Sequence, residues 1–266
     1  MRVCLAFLRR DLRIAWSYRL SFFVQNISLL FSVITLRFIS DVIGVSQPES
    51  LQRYGGDYFS FLLVGTGIGI VAVPLVKNFA GSVRANQVTG TFEVMLTTRA
   101  SGAAIVVNAT LYSLLFAVFQ LTAVWVIGTL FLGASFRLTD APLVLAVMVL
   151  TAAMLVGVGL LAASFMIVFK QSEPVSGAFL TVSLLLSGIF YPTTVLPSWL
   201  GQFAPLLPLT HAVELLRLLL IQGADPTKLG VHFAALGAFC LLLPVGVFAL
   251  HQALASARRS GSLGQY

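Results

Sequence analysis

The sequence predicts an all-α protein that crosses a membrane several times. Hydrophobic residues make up 58% of the 266 residues and charged residues only 9%, whereas soluble domains carry about 25% charged residues. A chain with so few charges cannot cover a surface that faces water. The hydrophobic residues fall in long runs that lack the alternation of a β-barrel strand. The composition therefore indicates a polytopic helical membrane protein.

Apolar runs occur at six places in the sequence, and a helix of about 20 residues is needed to cross about 30 Å of hydrocarbon. In chain order the six runs are residues 20–43, 58–76, 103–132, 143–169, 174–191 and 229–254. The fifth run is short, and the third is long enough to tilt or to extend beyond the bilayer. We therefore expect six transmembrane helices, with a short re-entrant helical hairpin between spans five and six on the outer side.

The distribution of basic residues predicts the orientation. Six spans place both termini on one side, where eleven Lys and Arg lie, against five on the other side. Because cytoplasmic loops carry the excess of basic residues, both termini are predicted to be cytoplasmic. These flanking charges also account for the net charge of +7, so no nucleic-acid partner is predicted.

Residues 1–19 are predicted to form an amphipathic helix at the membrane interface. On such a helix the apolar face consists of Leu5, Leu8, Leu12 and Trp16, and the adjoining basic face of Arg2, Arg9 and Arg13. That pattern suits a helix in the inner headgroup layer, and a plain basic flank of the first span is the alternative. Residues 20–255 then form the transmembrane domain, and residues 256–266 form a cytoplasmic tail.

The sequence lacks the motifs of an ATPase or a hydrolase. No lysine follows a glycine, so the phosphate-binding motif G-x-x-x-x-G-K-[ST] is missing. HExxH and GxSxG are missing as well. Cys4 and Cys240 do not have a metal-binding spacing, and we predict no metal at His211 and Glu214. We therefore expect no enzyme activity, no catalytic residue, no metal and no cofactor in this chain.

The expected outer hairpin, residues 191–228, is apolar but rich in proline. It carries Pro192, Pro197, Pro205 and Pro208. Prolines at this density break helices into short pieces, and broken backbone at membrane depth must be buried in protein or face a watery cavity. A helix can resume over residues 209–222, where Glu214 and Arg217 are expected to pair. The alternative is an outer loop that rests on the headgroups.

Residues 84–98, RANQVTGTFEVMLTT, form a polar interruption between the second and third spans. The predicted orientation places this stretch in the cytoplasm. Arg84 and Glu93 are charged residues that could fix the orientation of a contact with a cytoplasmic partner. The alternative for Glu93 is a local cap or a pair with Arg84 or Arg99.

Short motifs occur at both places. The hairpin region contains Ser187-Gly188, Tyr191-Pro192, Leu196-Pro197, Pro208-Leu209-Thr210 and Arg217. The polar stretch contains Gly90-Thr91-Phe92-Glu93 and then Met95-Leu96. In this order the motifs resemble those of ABC-2 type exporter permeases, the membrane subunits of one class of ATP-binding-cassette transporters. Because the length and the six spans agree too, the resemblance covers nearly the whole chain.

The resemblance implies a permease subunit of an exporter in the bacterial plasma (inner) membrane. It implies a dimer, either of two copies or of two related chains, with a separate cytoplasmic ATPase that binds the ATP. Residues 77–102 would be the coupling segment on the ATPase. Within it the expected contact residues are Arg84, Gly90, Thr91, Phe92, Glu93 and Leu96. The expected hairpin residues are Tyr191, Pro192, Leu196, Pro197, Pro208, Glu214 and Arg217.

Close helix contacts are predicted at small residues in the spans. Gly65 and Gly69 form a G-x-x-x-G pair in the second span, which could pack two permeases against each other. Gly157 and Gly159 offer a similar face in the fourth span. Packing of the spans within one subunit is the equal alternative for both pairs.

The expected substrate is amphipathic, lipid-like or drug-like, because the chain has 21 phenylalanines and few charges inside the spans. Polysaccharide or glycolipid is the alternative substrate within the same family. A stand-alone channel or an ion-coupled secondary transporter is the alternative function. Ion-coupled carriers generally need carboxylates or histidines deep in the membrane, and the carboxylates here fall toward span ends and loops. Membrane lipid is an expected partner in every case.

Overall fold

The computed structural model describes residues 2–44, 57–91, 94, 97, 102–137, 140–170, 173–222 and 229–260. Within these residues all regular secondary structure is helical, and the predicted all-α, multi-span class is confirmed. The long helices of the first two thirds of the chain are α1 (Arg2–Ser17), α2 (Arg19–Gly44), α3 (Tyr58–Val88), α4 (Gly102–Phe131) and α5 (Ala141–Phe169).

Shorter helices follow α5. They are α6 (Glu173–Leu186), α7 (Ser198–Gly201) and α8 (Pro208–Arg217), with 3₁₀ turns at Thr193–Val195 and Ala204–Leu206 and a π-helical turn at Leu218–Gln222. The chain ends with α9 (Gly230–Phe239) and α10 (Leu242–Ser260). A two-residue break separates α9 from α10, because Pro244 has no N–H to donate to the carbonyl of Cys240.

α3 is the central helix. In its most apolar stretch 72% of the residues are buried inside the protein, against 6% for α2. α3 packs against α2, α4, α5, α6 and α8, and it contributes more side chains than any neighbour to the main apolar cluster. The fold is therefore a bundle arranged around α3, with α2 at its periphery.

α3 continues past residue 76, where the apolar run of the second span ends, and reaches Val88. Phe79, Ala80 and Val83 are buried in this continuation, and their spacing of one, three and four residues keeps one helix face against the bundle. The first part of the expected coupling segment, residues 77–88, is thus the end of α3. At about 1.5 Å per residue, the 31 residues of α3 span about 45 Å, which exceeds about 30 Å of hydrocarbon.

Five helices in the described part of the chain are long and apolar enough to cross a membrane. They are α2, α3, α4, α5 and the α9–α10 unit. The sixth candidate is the bent pair Ser198–Leu206 and Pro208–Gln222, if that pair is one span. The fifth apolar run, residues 174–191, contains only the 14-residue α6, because the chain leaves the helix before Gly188, whose φ is +77°.

α5 and α10 form the most extensive helix contact, and glycines allow it. A Cβ atom on Gly157 would lie 2.6 Å from the backbone nitrogen of Leu243, and one on Gly246 would lie 2.6 Å from the carbonyl oxygen of Gly157. Nearby, a Cβ on Gly159 would lie 3.1 Å from the carbonyl oxygen of Leu75. The backbones therefore touch at places where no larger residue fits.

We predict that Gly157→Ala lowers the thermal unfolding midpoint of the purified protein in detergent. Overpacking of a tight core costs about 1–3 kcal/mol, and here the added methyl group meets backbone rather than a movable side chain. The matched control is Gly237→Ala, because nothing lies within 4 Å of that position. The control should be neutral or stabilising by up to about 1 kcal/mol. Equal midpoints for both variants would contradict the packing described for α5 and α10.

Candidate functional site

Arg217, the last residue of α8, is buried among apolar residues. It is 1% exposed and is among the largest fully buried side chains of the described residues. A buried cation is costly unless every N–H group finds an acceptor. The surroundings of Arg217 therefore have to supply acceptors, and they do so with main-chain carbonyls.

Three carbonyl groups accept hydrogen bonds from the guanidinium. Nη1 donates to Gly188 over 2.6 Å, and Nη2 donates to Ile189 over 2.8 Å. Nε and Nη2 both donate to the carbonyl of Phe61, over 3.3 Å and 3.2 Å. The guanidinium carbon also lies 3.3 Å from the centre of the Phe61 ring, which is a cation–π arrangement. We call this set of contacts the arginine clamp.

The arginine clamp joins three parts of the chain. Phe61 lies in the first turn of α3, Arg217 ends α8, and Gly188 with Ile189 begins the proline-rich segment after α6. The carbonyls of Gly188 and Ile189 are available because α6 has already ended, and the positive φ of Gly188 (+77°) turns the chain there. A side chain at Gly188 would be strained in this conformation.

Gly65 makes room for the clamp. A Cβ atom at this position would lie 2.6 Å from Nη2 of Arg217 and closer still to the carbonyl oxygen of Ile189. A Cβ at Gly69 would meet only the end of the Leu184 side chain, at 3.6 Å. Both glycines of the G-x-x-x-G pair thus face neighbours within the same chain, which favours the alternative of packing inside one subunit.

The remaining hairpin residues form a compact broken structure beside the clamp. Pro192 precedes the first 3₁₀ turn, Pro197 precedes α7, and Pro208 is the first residue of α8. The helix pair on either side of Leu207 is bent by 88°. The predicted break into short helices is therefore present, and each of the three prolines stands at a helix start, where its missing N–H is tolerated.

Two tyrosine hydroxyls fasten the start of this segment. Tyr191 donates to the carbonyl of Leu185 over 2.5 Å, and Tyr58 donates to the carbonyl of Phe190 over 2.9 Å. Of the other expected residues, Leu196 is half-buried and so is Glu214. The ion pair of Glu214 with Arg217 stays a prediction.

A histidine pair that was not predicted from the sequence lies in the same region. Nδ1 of His211 in α8 lies 3.0 Å from Nδ1 of His232 in α9. Nε2 of His211 lies 2.8 Å from the carbonyl oxygen of Pro205 and must donate to it. The contact between the two Nδ1 atoms ties α8 to α9, with one ring as donor and the other as acceptor. Among the described residues no group of three or more His, Cys, Asp or Glu could hold a metal.

The expected ATPase-contact residues lie at the other end of α3. Arg84 is exposed on the last turns of the helix. Gly90 follows the helix with a φ of +67°, and its N–H donates to the carbonyl of Gln87 over 3.0 Å. The Thr91 hydroxyl lies 3.3 Å from the carbonyl oxygen of Asn86. Phe92, Glu93 and Leu96 lie outside the described residues.

Gln87 is a further residue at this end that sequence reasoning missed. Its side chain is 8% exposed, and its Oε1 atom has no hydrogen-bond partner among the described residues. Buried polar atoms are nearly always satisfied in native structures. The turn that carries Gln87 and Gly90 therefore has an acceptor that the described part of the bundle does not satisfy.

One helix thus carries both parts of the site. Phe61, in the arginine clamp, and Arg84, among the expected contact residues, belong to the same uninterrupted α3, which continues past Pro74. They are 23 positions apart in the sequence, about 35 Å at about 1.5 Å per residue. Because α3 is continuous, a displacement of one end would be transmitted to the other end.

The family model described as ABC-2 type transporter matches residues 2–221. The match includes the arginine clamp, α3 and the expected contact residues. No curated protein matches the chain.

We predict that Gly65→Ala destabilises the monomeric fold, whereas Gly69→Ala does not. The first methyl group would collide with the clamp, and the second would make an ordinary van der Waals contact. Thermal unfolding in detergent should separate the variants by about 1–3 kcal/mol, and size-exclusion chromatography should show no difference in oligomeric state. If both variants instead changed the oligomeric state by similar amounts, the glycines would belong to an interface between subunits.

We also predict that Arg217→Met is strongly destabilising, although methionine suits an apolar site. Removal of the guanidinium leaves the carbonyls of Gly188 and Ile189 without this donor, and each unsatisfied buried group costs about 1–3 kcal/mol. The control is Arg137→Met, because Arg137 is exposed and its side chain makes one long contact of 3.4 Å. Equal decreases in the unfolding midpoints of the two variants would mean that the clamp contributes no more stability than an exposed arginine.

Proposed function

We propose that this chain, which belongs to the ABC-2 type transporter family, is the permease subunit of an ATP-driven exporter. The family implies association with an ABC ATPase. In the proposed assembly the ATPase is a separate cytoplasmic subunit that binds and hydrolyses ATP, and this chain forms the membrane pathway. The permease would act as a dimer in a bacterial plasma membrane.

The observation that carries the proposal is the continuity of α3. The helix begins at Tyr58 beside the arginine clamp and ends at Val88 next to the Gly90 turn. The basic residues predict that the Val88 end is cytoplasmic, so an ATPase seated there would hold the end of a helix that reaches the hairpin. Closure of the ATPase pair around ATP would then tilt or shift α3 within the bundle.

The hairpin would respond because the arginine clamp fixes it to α3. The Arg217 guanidinium donates hydrogen bonds to α3 and to the segment after α6 at the same time. If α3 moved alone, a buried cation would lose acceptors in a low-dielectric surrounding, which is costly. Movement of α3 and the hairpin together avoids this loss. The clamp would therefore transmit motion to the side of the membrane opposite the ATPase.

The interior of the bundle supports an ATP-driven rather than an ion-coupled mechanism. Ion coupling generally uses carboxylates or histidines deep in the membrane. The buried polar side chains of the described residues include no carboxylate, and the buried His211 is engaged with His232 and with the carbonyl of Pro205. The proposed cargo is amphipathic or lipid-like, because the surfaces of α2 and α4 display large apolar side chains. Exposed examples are Phe23, Phe31, Phe38, Phe119 and Phe131.

The test of the proposal is a mild-detergent purification of the tagged chain from its native membrane, with mass spectrometry of the proteins that accompany it. We expect a stoichiometric soluble polypeptide that contains G-x-x-x-x-G-K-[ST]. Purification of the chain without an accompanying protein, even after crosslinking in the membrane, would contradict the proposal. That result would favour a stand-alone channel or an ion-coupled carrier.

We predict that Glu93→Arg reduces capture of that ATPase by about tenfold or more, since a reversed charge at a protein interface costs several kcal/mol. Membrane insertion and dimerisation should remain intact, as checked by yield and crosslinking. Glu49→Arg is the control, because it reverses the same charge in a loop that the predicted orientation places on the other side. ATPase capture and transport at the parent level would remove Glu93 from the coupling role.

A further inference from the structure

α1 uses one face for packing and leaves a second apolar face uncovered. Asp11 and Ala15 share a cavity with Tyr112 and Phe116, so this face is turned to α4. A different stripe contains Leu5, Leu12 and Trp16, which are 58%, 52% and 70% exposed. More than half of each of these three side chains is exposed, so the described part of the chain does not cover the stripe.

The basic side chains of α1 differ in their contacts. Nε of Arg10 lies 2.8 Å from Oδ1 of Asp11, and the Arg19 guanidinium at the start of α2 lies 4.7 Å from the centre of the Trp16 ring. Arg9 and Arg13 are exposed beside the outward stripe, and the described part of the chain supplies no acidic partner to either. Two uncompensated positive charges therefore border an uncovered apolar surface.

Two adjoining hollows lie along this border. A shallow groove of about 680 Å³ is lined by Leu5, Leu8, Arg9, Leu12, Arg13 and Trp16. A narrower cavity of about 360 Å³ lies between α1, α2 and α4, and it is lined mainly by Leu12, Trp16, Arg19, Phe22, Phe23 and Tyr112. Leu12 and Trp16 line both hollows, so the basic groove and the aromatic cavity adjoin at these two side chains.

We propose that this corner of the protein is a selective binding site for an anionic phospholipid. The phosphate would lie at Arg9 and Arg13, where a planar guanidinium can donate two parallel hydrogen bonds to phosphate oxygens. One acyl chain would follow Leu12 and Trp16 into the cavity beside Phe22. The proposal rests on the proposed function only for placing the corner in the cytoplasmic leaflet, whose anionic lipids attract basic segments.

The nearby carboxylate does not cancel this attraction. Asp11 is ion-paired with Arg10 and lines a cavity on the α4 side of the helix, whereas the groove at Arg9 and Arg13 does not include it. A zwitterionic phospholipid would fill the same apolar hollow, but its own amine would offset the phosphate charge at Arg9 and Arg13. The arrangement therefore favours a net negative headgroup over a neutral one of the same size.

The experiment uses Trp16 as the reporter in the full-length chain. Trp125→Phe and Trp199→Phe leave Trp16 as the single tryptophan, and the protein is reconstituted in phosphatidylcholine nanodiscs. Brominated phosphatidylglycerol or brominated phosphatidylcholine with identical chains is then added in increasing mole fraction. We expect half-maximal quenching of Trp16 at about a fivefold lower mole fraction of the anionic lipid. Equal mole fractions would overturn the proposal.

The matched variants separate a site from a general effect of charge. Arg9→Gln with Arg13→Gln should abolish the preference for the anionic lipid. Arg258→Gln with Arg259→Gln removes the same charge from exposed positions in the last turn of α10 and should preserve it. Loss of the preference in both double variants would overturn the proposal.

A third arm uses soluble glycerol phosphate as a competitor. We expect that it does not relieve the quenching, because it lacks the acyl chain that fills the cavity. Relief by glycerol phosphate would identify a free-anion site and overturn the assignment to a phospholipid. No ATPase takes part in the measurement, so its result is independent of whether the chain captures one.

Discussion

Several features of this structure follow from one requirement: the buried guanidinium of Arg217 needs hydrogen-bond acceptors. Arg217 cannot be hydrated at its position, and a cation in that surrounding must be given hydrogen-bond acceptors. The acceptors are the carbonyl of Phe61 in α3 and the carbonyls of Gly188 and Ile189, which are free because α6 has already ended. The early end of α6, the turn at Gly188 and the absence of a side chain at Gly65 all satisfy this one requirement.

The same constraint explains why the fifth apolar run does not become a full span. Its residues are hydrophobic enough to continue as a helix, but a helix through Gly188 and Ile189 would withdraw two carbonyls from Arg217. The chain instead breaks into short pieces, and each break is fixed by a proline at a helix start. Hydrophobicity alone therefore overestimates the length of α6, whereas the prolines correctly predict the broken hairpin.

Functional residues could be predicted from the sequence where the side chain forms the contact, but not where a main-chain group forms it. Arg217, Gly188 and the prolines were identifiable because their side chains, or the lack of one, are the functional feature. The carbonyl of Phe61 was not, since every residue has a carbonyl and only the fold selects one. The continuation of α3 was hidden because hydropathy falls at Lys77, although buried Phe79 and Val83 maintain the helical period. The histidine pair was missed because His211 and His232 meet only through tertiary packing.

In the proposed mechanism α3 and the hairpin move as one body when the ATPase hydrolyses ATP. The most direct test of this mechanism is a distance measurement by electron paramagnetic resonance, with Cys4 and Cys240 replaced by serine and spin labels at exposed Ala85 and Gln202. A second label pair joins Ala85 to Arg258 at the end of α10. The mechanism predicts that trapping the assembly with ATP leaves the Ala85–Gln202 distance unchanged while the Ala85–Arg258 distance shifts. A changed or broadened Ala85–Gln202 distance would contradict it.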